Sequence, residues 1–324
     1  MPERQTRFLS GIQPSGTLHL GNYFGAIREH IALQNEGDAF YFIADFHALT
    51  TVRDAKKLRR YSFDAAASYL ACGLDPERAC LFRQSDVPEI PELTWLLMTV
   101  TPMGLLQRAV SYKDKVERGL PTDAGLFTYP VLMAADILAY QSDFVPVGQD
   151  QVQHIEMTRD IAGAFNHLFG DVFKLPDYKA SRAPYVPGTD GSKMSKSYGN
   201  TIELFATGKT LKNAVMGIKT DSTPVEAPKD PDKCTVYQLY TLVANASERL
   251  ELAMRYRAGG LGYGDAKKML LARLEEYFAD ARARREEWEA HPERVEEVLR
   301  NGAARARAEA RKTLDAARAA CGFA

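Results

Sequence analysis

Two short runs in this chain carry residue types that can hold and move charge. The first is Pro14-Ser15-Gly16-Thr17-Leu18-His19-Leu20-Gly21-Asn22; the second is Gly191-Ser192-Lys193-Met194-Ser195-Lys196-Ser197. The first reads as a small-residue turn with a histidine, opening a helix. Free N–H groups and the helix dipole at such an end favour phosphate. Gly16 and Gly21 let a nucleotide approach the backbone closely, and His19 can donate to phosphate oxygens. The second is a Gly/Ser loop with two lysines. Lys193 and Lys196 are long, flexible point charges on a loop able to close over an anion. Met194 suits an apolar slot that anchors the loop, and the serines permit tight bends and hydroxyl contacts. Either run alone could be a solvated surface loop. Together they suit a protein that holds a triphosphate and stabilises charge migrating along it.

A third set lies between them. Tyr129, Met133, Asp136 and Tyr140 recur at spacings of four, three and four, so they share one face of a helix. An aspartate among aromatic and sulfur side chains needs a partner, because unpaired buried charge is costly. A salt bridge to another helix would satisfy it, and so would a polar group on a substrate.

The elements that must position these residues are legible in outline. Phe8–Ile12, Ala39–Ala44, Ala79–Phe82 and Phe144–Val147 read as strands. Leu20, Phe24, Ile27 and Ile31 form a helical stripe, and Asp54–Cys72 and Pro88–Val100 read as helices. Pro130 suits the first turn of the next helix, and Asp150 can cap one running to about Phe169. Strand and helix alternating at this spacing imply an α/β fold, a doubly wound parallel sheet of Rossmann-like kind with ligands beyond its C-terminal strand edges. Leu175–Asn200 reads as loop. From Ile202 onward strand signals almost vanish: Gln238–Ala246, Glu248–Tyr256, Gly264–Ala281 and Pro292–Ala319 read as helices. The expected organisation is a nucleotide-binding domain over 1–202 with an all-helical second domain over 203–290.

Composition narrows the classes. At 324 residues, 45% hydrophobic and 26% charged, the chain is an ordinary globule with ample core. A net charge of −1 gives no global basic field, so a nucleic acid must be met by a local patch or by shape. Cys72, Cys80, Cys234 and Cys321 show neither metal spacing nor a CxxC pair and read as reduced thiols. No apolar run reaches membrane-spanning length, and the first residues show no apolar signal core. The expected location is the cytoplasm, with no membrane partner.

The two charge-bearing runs resemble the signature sequences of class I aminoacyl-tRNA synthetases. His19-Leu20-Gly21-Asn22 stands where that class carries its HIGH sequence, with Asn22 in place of the last histidine, and KMSKS is present letter for letter. Ser10–Gly16, Leu132–Leu138 and Val145–Gln151 resemble signatures of its bacterial tryptophan branch, and the likeness runs from about Phe8 to the C-terminus. The resemblance implies ATP-dependent activation of L-tryptophan and its transfer to tRNA(Trp) by a homodimer, with the helical region 203–290 meeting the anticodon and the last helix, within 291–324, packing back on the first domain. Mg2+ would travel on the ATP phosphates with no protein-bound metal. It implies catalytic roles for Gln13, His19, Lys193 and Lys196. ATP contacts are implied at Gln13, Pro14, Ser15, Gly21, Asn22, Gly148, Gln149, Asp150, Val186, Lys193, Met194, Ser195, Lys196 and Ser197. Lys115 is a further candidate phosphate contact. For tryptophan, Asp136 would accept the indole N–H, Met133 would pack on the ring, Tyr129 and Gln151 would meet the ammonium, and His47 would line the pocket. The tyrosine branch, the small nucleotidyltransferases and a non-enzymatic RNA-binding paralogue are the rival readings.

Overall fold

The computed structural model describes residues 5–117, 119, 122–148, 151–180 and 183–323. They group into two compact units. One comprises residues up to Gly16, His30–Ser181 and Trp288 onward; the other comprises Thr17–Glu29 and Arg182–Glu287.

The first unit is built on five parallel strands: β1 Arg7–Ile12, β2 Asp38–Ile43, β3 Ala79–Arg83, β4 Phe144–Val147 and β5 Asp177–Ala180. Their order is β3-β2-β1-β4-β5. Ala39–Ile43 is an unbroken apolar run, each residue 7% exposed or less, as a strand covered on both faces requires. The order reverses between β1 and β4, and that is where the loops leaving two strands part to open a crevice. The chain turns at Gln13–Gly16 and at Gly148 therefore leave the sheet at its ligand-binding edge.

β5 is a correction, since Leu175–Asn200 reads as loop. Asp177-Tyr178-Lys179-Ala180 has no apolar run because an edge strand pairs on one side, here with β4 from Phe144↔Asp177 to Val147↔Ala180. Backbone hydrogen bonds form it, and a charged edge also discourages further pairing.

In chain order the longer helices are α1 Ala55–Ala71, α2 Glu89–Met98, α3 Ala124–Leu138, α4 Val152–Phe169, α5 Gly208–Met216, α6 Thr235–Val243, α7 Ala246–Ala258, α8 Tyr263–Tyr277, α9 Ala279–Ala290 and α10 Pro292–Ala320. Asp54 caps α1 by accepting from the Lys56 and Lys57 N–H groups, satisfying donors that a helix start leaves unpaired. α3 starts earlier than the sequence suggests. Asp123 accepts from Leu126 N, and Pro130 lies inside the helix rather than in its first turn. An internal proline loses one helical hydrogen bond. The buried face of Leu126, Pro130, Val131, Ala134, Ala135 and Leu138 holds the helix together across it. The stretch expected as one helix over Gly264–Ala281 is two, because Phe278 leaves helical geometry at φ −99°, ψ 8°.

α10 belongs to the first unit and packs on β3. Val295, Leu299, Ala303, Ala306, Ala310, Leu314 and Ala317 form its buried stripe. Its small residues permit close approach: Gly302 lies so near Leu81 that a Cβ there would meet the Leu81 carbonyl oxygen at 1.9 Å. Cys80 Sγ donates to the Gly302 carbonyl at 3.2 Å. Arg83 grips Glu296 through both terminal nitrogens, at 3.1 and 2.6 Å.

In the second unit, α6 and α8 pack through Val236, Leu239, Val243, Ala266, Leu270 and Leu274, all buried. The segment opening at Leu18 is tied to the chain after the lysine loop: Leu20 N donates to Ile202 O and Leu204 N to Leu18 O, both at 3.0 Å. Thus the His19 turn and the lysine loop are fixed within one body.

Candidate functional site

In the second unit, His19 precedes the short helix Leu20–Asn22, which continues as the π-helical turn Tyr23–Ile27. Its backbone N–H donates to Asn22 Oδ1 at 3.0 Å. Asn22, the departure from the class sequence, therefore completes the helix start. Gly21 is required here, since a Cβ would lie 2.9 Å from the His19 ring. The Gly21 N–H points to Met194 Sδ at 3.4 Å. Met194 is 5% exposed, so its side chain seats the lysine loop beside the His19 turn. Burial first, and then the nearby Lys196 charge, pull His19 down to about 4. The imidazole is neutral at neutral pH, a donor and acceptor rather than a cation.

The loop's shape comes from a residue that sequence reasoning missed. Asn200, 2% exposed, donates from Nδ2 to Asp190 Oδ1, Ser192 Oγ and Lys193 O at 2.8, 3.0 and 3.1 Å. Its Oδ1 accepts from Ser195 N at 2.8 Å. Asp190 Oδ1 also accepts from Ser192 N and Oγ. These bonds hold the Asp190 carboxyl below the usual carboxylate range. Gly188 leaves room for Asn200, whose Nδ2 a Cβ would meet at 2.2 Å. Gly191 and Gly199, at φ +88° and +64°, make the bends. Ser195 and Ser197 bond each other at 2.8 Å. Lys193 is exposed and Lys196 partly so. Val186 is buried, and its carbonyl accepts from Met194 N at 3.0 Å.

In the first unit, a cavity of about 370 Å³ opens at the C-terminal strand ends; Gln13, His47, Tyr129, Met133, Gln151 and His154 are among its lining residues. Gln13 is exposed, and its Nε2 donates to His47 O at 3.2 Å. Pro14 is buried, Ser15 exposed, and Ser15 N donates to Gln13 O at 2.9 Å. Gly148 accepts from Gln151 N at 2.9 Å. Gln149, Asp150 and the side chain of Lys115 lie outside the described residues.

Asp136 does not line this cavity. It is 2% exposed, and His47, which does line it, meets Asp136 Oδ2 through Nε2 at 2.9 Å. Gln84 Nε2 donates to Oδ1 at 2.9 Å and to Oδ2 at 2.8 Å. Burial pushes the Asp136 carboxyl up, against the pull of these hydrogen bonds. Two partners here were not foreseen. Gln84 follows β3, at the same sheet edge as the β1 and β4 turns, and its position was the one available signal. His154, on α4, meets the Tyr129 hydroxyl at 3.0 Å through Nε2; a lone histidine on a helix face carries no such signal.

Among the described residues, no cluster of three or more His, Cys, Asp or Glu is placed to hold a metal ion, and no helix is long and apolar enough to cross a membrane.

Residues 1–279 match the family model described as tRNA synthetases class I (W and Y). A tryptophan–tRNA ligase from Rhodopirellula baltica is 57% identical over 318 residues, which is 98% of this chain and 99% of that protein. Among solved structures, the tryptophanyl-tRNA synthetase from Campylobacter jejuni complexed with ADP and tryptophan superposes with a TM-score of 0.93 at 46% identity; the match covers 98% of this chain and all of that one. The tyrosyl-tRNA synthetase from Archaeoglobus fulgidus shares the fold, with a TM-score of 0.66 at 21% identity over 86% of this chain and 90% of that one.

Proposed function

The chain belongs to the class I tRNA synthetases of the W and Y family, and from that membership we propose how its residues divide the work. It is a tryptophan–tRNA ligase, which uses ATP to activate L-tryptophan as tryptophanyl-adenylate and passes the aminoacyl group to tRNA.

The amino acid enters the cavity of the first unit. Asp136 lies behind His47, which lines that cavity; its carboxylate accepts the indole N–H as the ring enters past His47, and the observation that carries this assignment is its unfilled acceptor capacity. Oδ2 meets both His47 and Gln84, whereas Oδ1 accepts from Gln84 alone among the described residues. Met133 packs on the indole ring. Tyr129 and Gln151 meet the ammonium, with His154 orienting the Tyr129 hydroxyl. A pocket built to pair a polar group rejects analogues lacking it by about 10⁴–10⁵. Phenylalanine would leave Asp136 unserved.

ATP contacts are assigned residue by residue: to Gln13, Pro14, Ser15, Gly148, Gln149 and Asp150, and to Gly21, Asn22, Lys193, Met194, Ser195, Lys196 and Ser197, with the Val186 backbone assigned to adenine. Mg2+ arrives on the phosphates as part of the substrate. A tryptophan carboxylate oxygen attacks the α-phosphorus in line. A bond from carboxylate oxygen to phosphorus forms as the bond from phosphorus to the α,β-bridging oxygen breaks, and pyrophosphate leaves with the bonding pair. No covalent enzyme intermediate is needed, so catalysis consists of alignment and of stabilising that growing charge. Lys193 and Lys196 supply it, and neutral His19 donates a hydrogen bond. A terminal ribose hydroxyl of tRNA(Trp) then attacks the carbonyl carbon of the mixed anhydride, releasing AMP. The helical region 203–290 meets the anticodon, and the working form is a cytoplasmic homodimer.

ATP–pyrophosphate exchange with each amino acid in turn tests this reading. Tryptophan alone should support exchange, and Asp136→Ala should abolish most of it. An Asp136→Ala enzyme that activates tryptophan like wild type would overturn the assignment.

A further inference from the structure

Gln84 is only 1% exposed, and each end of its amide is committed. Oε1 accepts from Phe46 N at 3.1 Å and His47 N at 3.4 Å. Nε2 spans both oxygens of Asp136. Backbone N–H groups cannot accept, and a carboxylate cannot donate. The amide therefore has one allowed orientation, with oxygen toward the 46–47 backbone and nitrogen toward Asp136.

The next residue repeats the pattern with another acid. Ser85 donates to Asp45 from its backbone N–H at 2.9 Å and from its hydroxyl. Consecutive residues of one turn, Gln84–Asp86, thus each hold a buried aspartate, and both aspartates sit where burial works against their charged forms. Asp45 acts unfavourably on the Asp136 charge. What faces Asp136 is accordingly neutral Gln84, His47, and the acids Asp45 and, farther along the same turn, Asp86; Tyr140, just past the end of α3, feels the charges of both Asp136 and Glu89. Among these, Gln84 is the permanent donor: it carries no charge of its own and cannot titrate away.

We propose that Gln84 is a positioning residue for amino-acid selection: its amide holds the Asp136 carboxylate ionised and oriented, leaving Oδ1 with acceptor capacity for the indole N–H. This rests on the assignment of Asp136 as the indole acceptor.

Gln84→Glu gives a test that a merely structural role would not mimic. The introduced carboxyl is the same size and still accepts from Phe46 N and His47 N. It can donate to Asp136 only while it carries a proton, because two carboxylates in contact cannot both ionise at low cost. The readout is kcat/KM for tryptophan in pyrophosphate exchange, as the ratio of variant to wild type from pH 5.5 to 8, so that titrations common to both enzymes cancel. The ratio should fall by tenfold or more as pH rises, with the loss mainly in KM. Gln84→Met, which has no donor, should weaken tryptophan binding in calorimetry at least tenfold with a ratio flat in pH. A ratio flat with pH for the glutamate variant, or unchanged tryptophan binding for the methionine variant, overturns the proposal. If the glutamate variant does not fold, the methionine variant and its calorimetry decide. Asp136→Ala separates the two ideas. If it loses tryptophan activation while both Gln84 variants behave as wild type, the role of Gln84 is wrong and the Asp136 assignment stands. If it activates tryptophan normally, both are overturned.

Discussion

At the scale of single residues, His19 and Lys196 form a coupled pair. His19 titrates near 4 when folded against an ordinary value of 6.5. A depressed histidine value means that the folded state resists protonation. Its contribution to stability is fully present above pH 6.5 and is lost as pH falls toward 4, amounting to at most about 3 kcal/mol. His30, buried against Tyr69 at 2.8 Å and also held near 4, adds to the same loss. Lys196→Ala should raise the His19 value, as read by NMR titration, because one of its two causes is removed. The same variant should slow adenylate formation by roughly 10²–10³ while barely changing tryptophan affinity, if the lysine acts on the departing pyrophosphate. Equal losses in rate and ATP binding would mark Lys196 as a ground-state anchor instead. The lysines, His19 and Asp136 were singled out in the sequence because an ionisable side chain stands out against its neighbours. Gln84 and Asn200 were not. Each is an uncharged amide whose importance lies in four side-chain hydrogen bonds to parts of the chain that come together only on folding.

Among the elements, helices with well-marked caps were read closely, as α1 was from Asp54. The errors share a cause. Pro130 looked like a helix start because local preference puts proline in the first turn, but the packing of α3 outweighed it. Phe278 breaks a continuous helical pattern with no glycine or proline to signal it. β5 has no hydrophobic pattern because its partner supplies only backbone. Tertiary context made each decision, and a window of local sequence does not contain it. The fit of α10 against β3 is similarly absent from the sequence, where Gly302 reads as an ordinary helix-weakening glycine. Gly302→Ala should destabilise the protein by about 3 kcal/mol or more, because the new methyl would strike a backbone carbonyl that cannot rotate aside. Gly163→Ala, in α4 with nothing within 4 Å of the new methyl, should stabilise by about 0.5–1 kcal/mol. Urea unfolding of the two variants measures both signs. Two stabilised variants would mean that helix propensity, not contact, governs these positions.

For the molecule as a whole, composition and the alternation of strand and helix sufficed for an α/β sheet followed by helices. They did not reveal that Thr17–Glu29 joins Arg182–Glu287 in one unit while β1 joins the other. A chain that passes between units four times leaves no composition boundary at each passage. Because α10 lies in the sheet's unit and bonds β3, removing residues 292–324 should lower Tm and expose apolar surface of the first unit, rather than only weaken binding of tRNA. A soluble truncation with unchanged Tm and full pyrophosphate exchange would show that α10 is dispensable to the sheet.

The contact between Gly302 and Leu81 also has a dimension in time. The two residues are more than two hundred positions apart in the sequence. At synthesis rates of about 5–20 residues per second, the ribosome makes β3 roughly 10–45 seconds before it makes the helix that covers it. During that interval the nascent sheet has a bare apolar flank, and nothing translated in between supplies the small-residue stripe that fits it. The helix that seals this flank is thus made after every strand of the sheet, and the period of greatest exposure to aggregation or to chaperones falls before that helix leaves the exit tunnel.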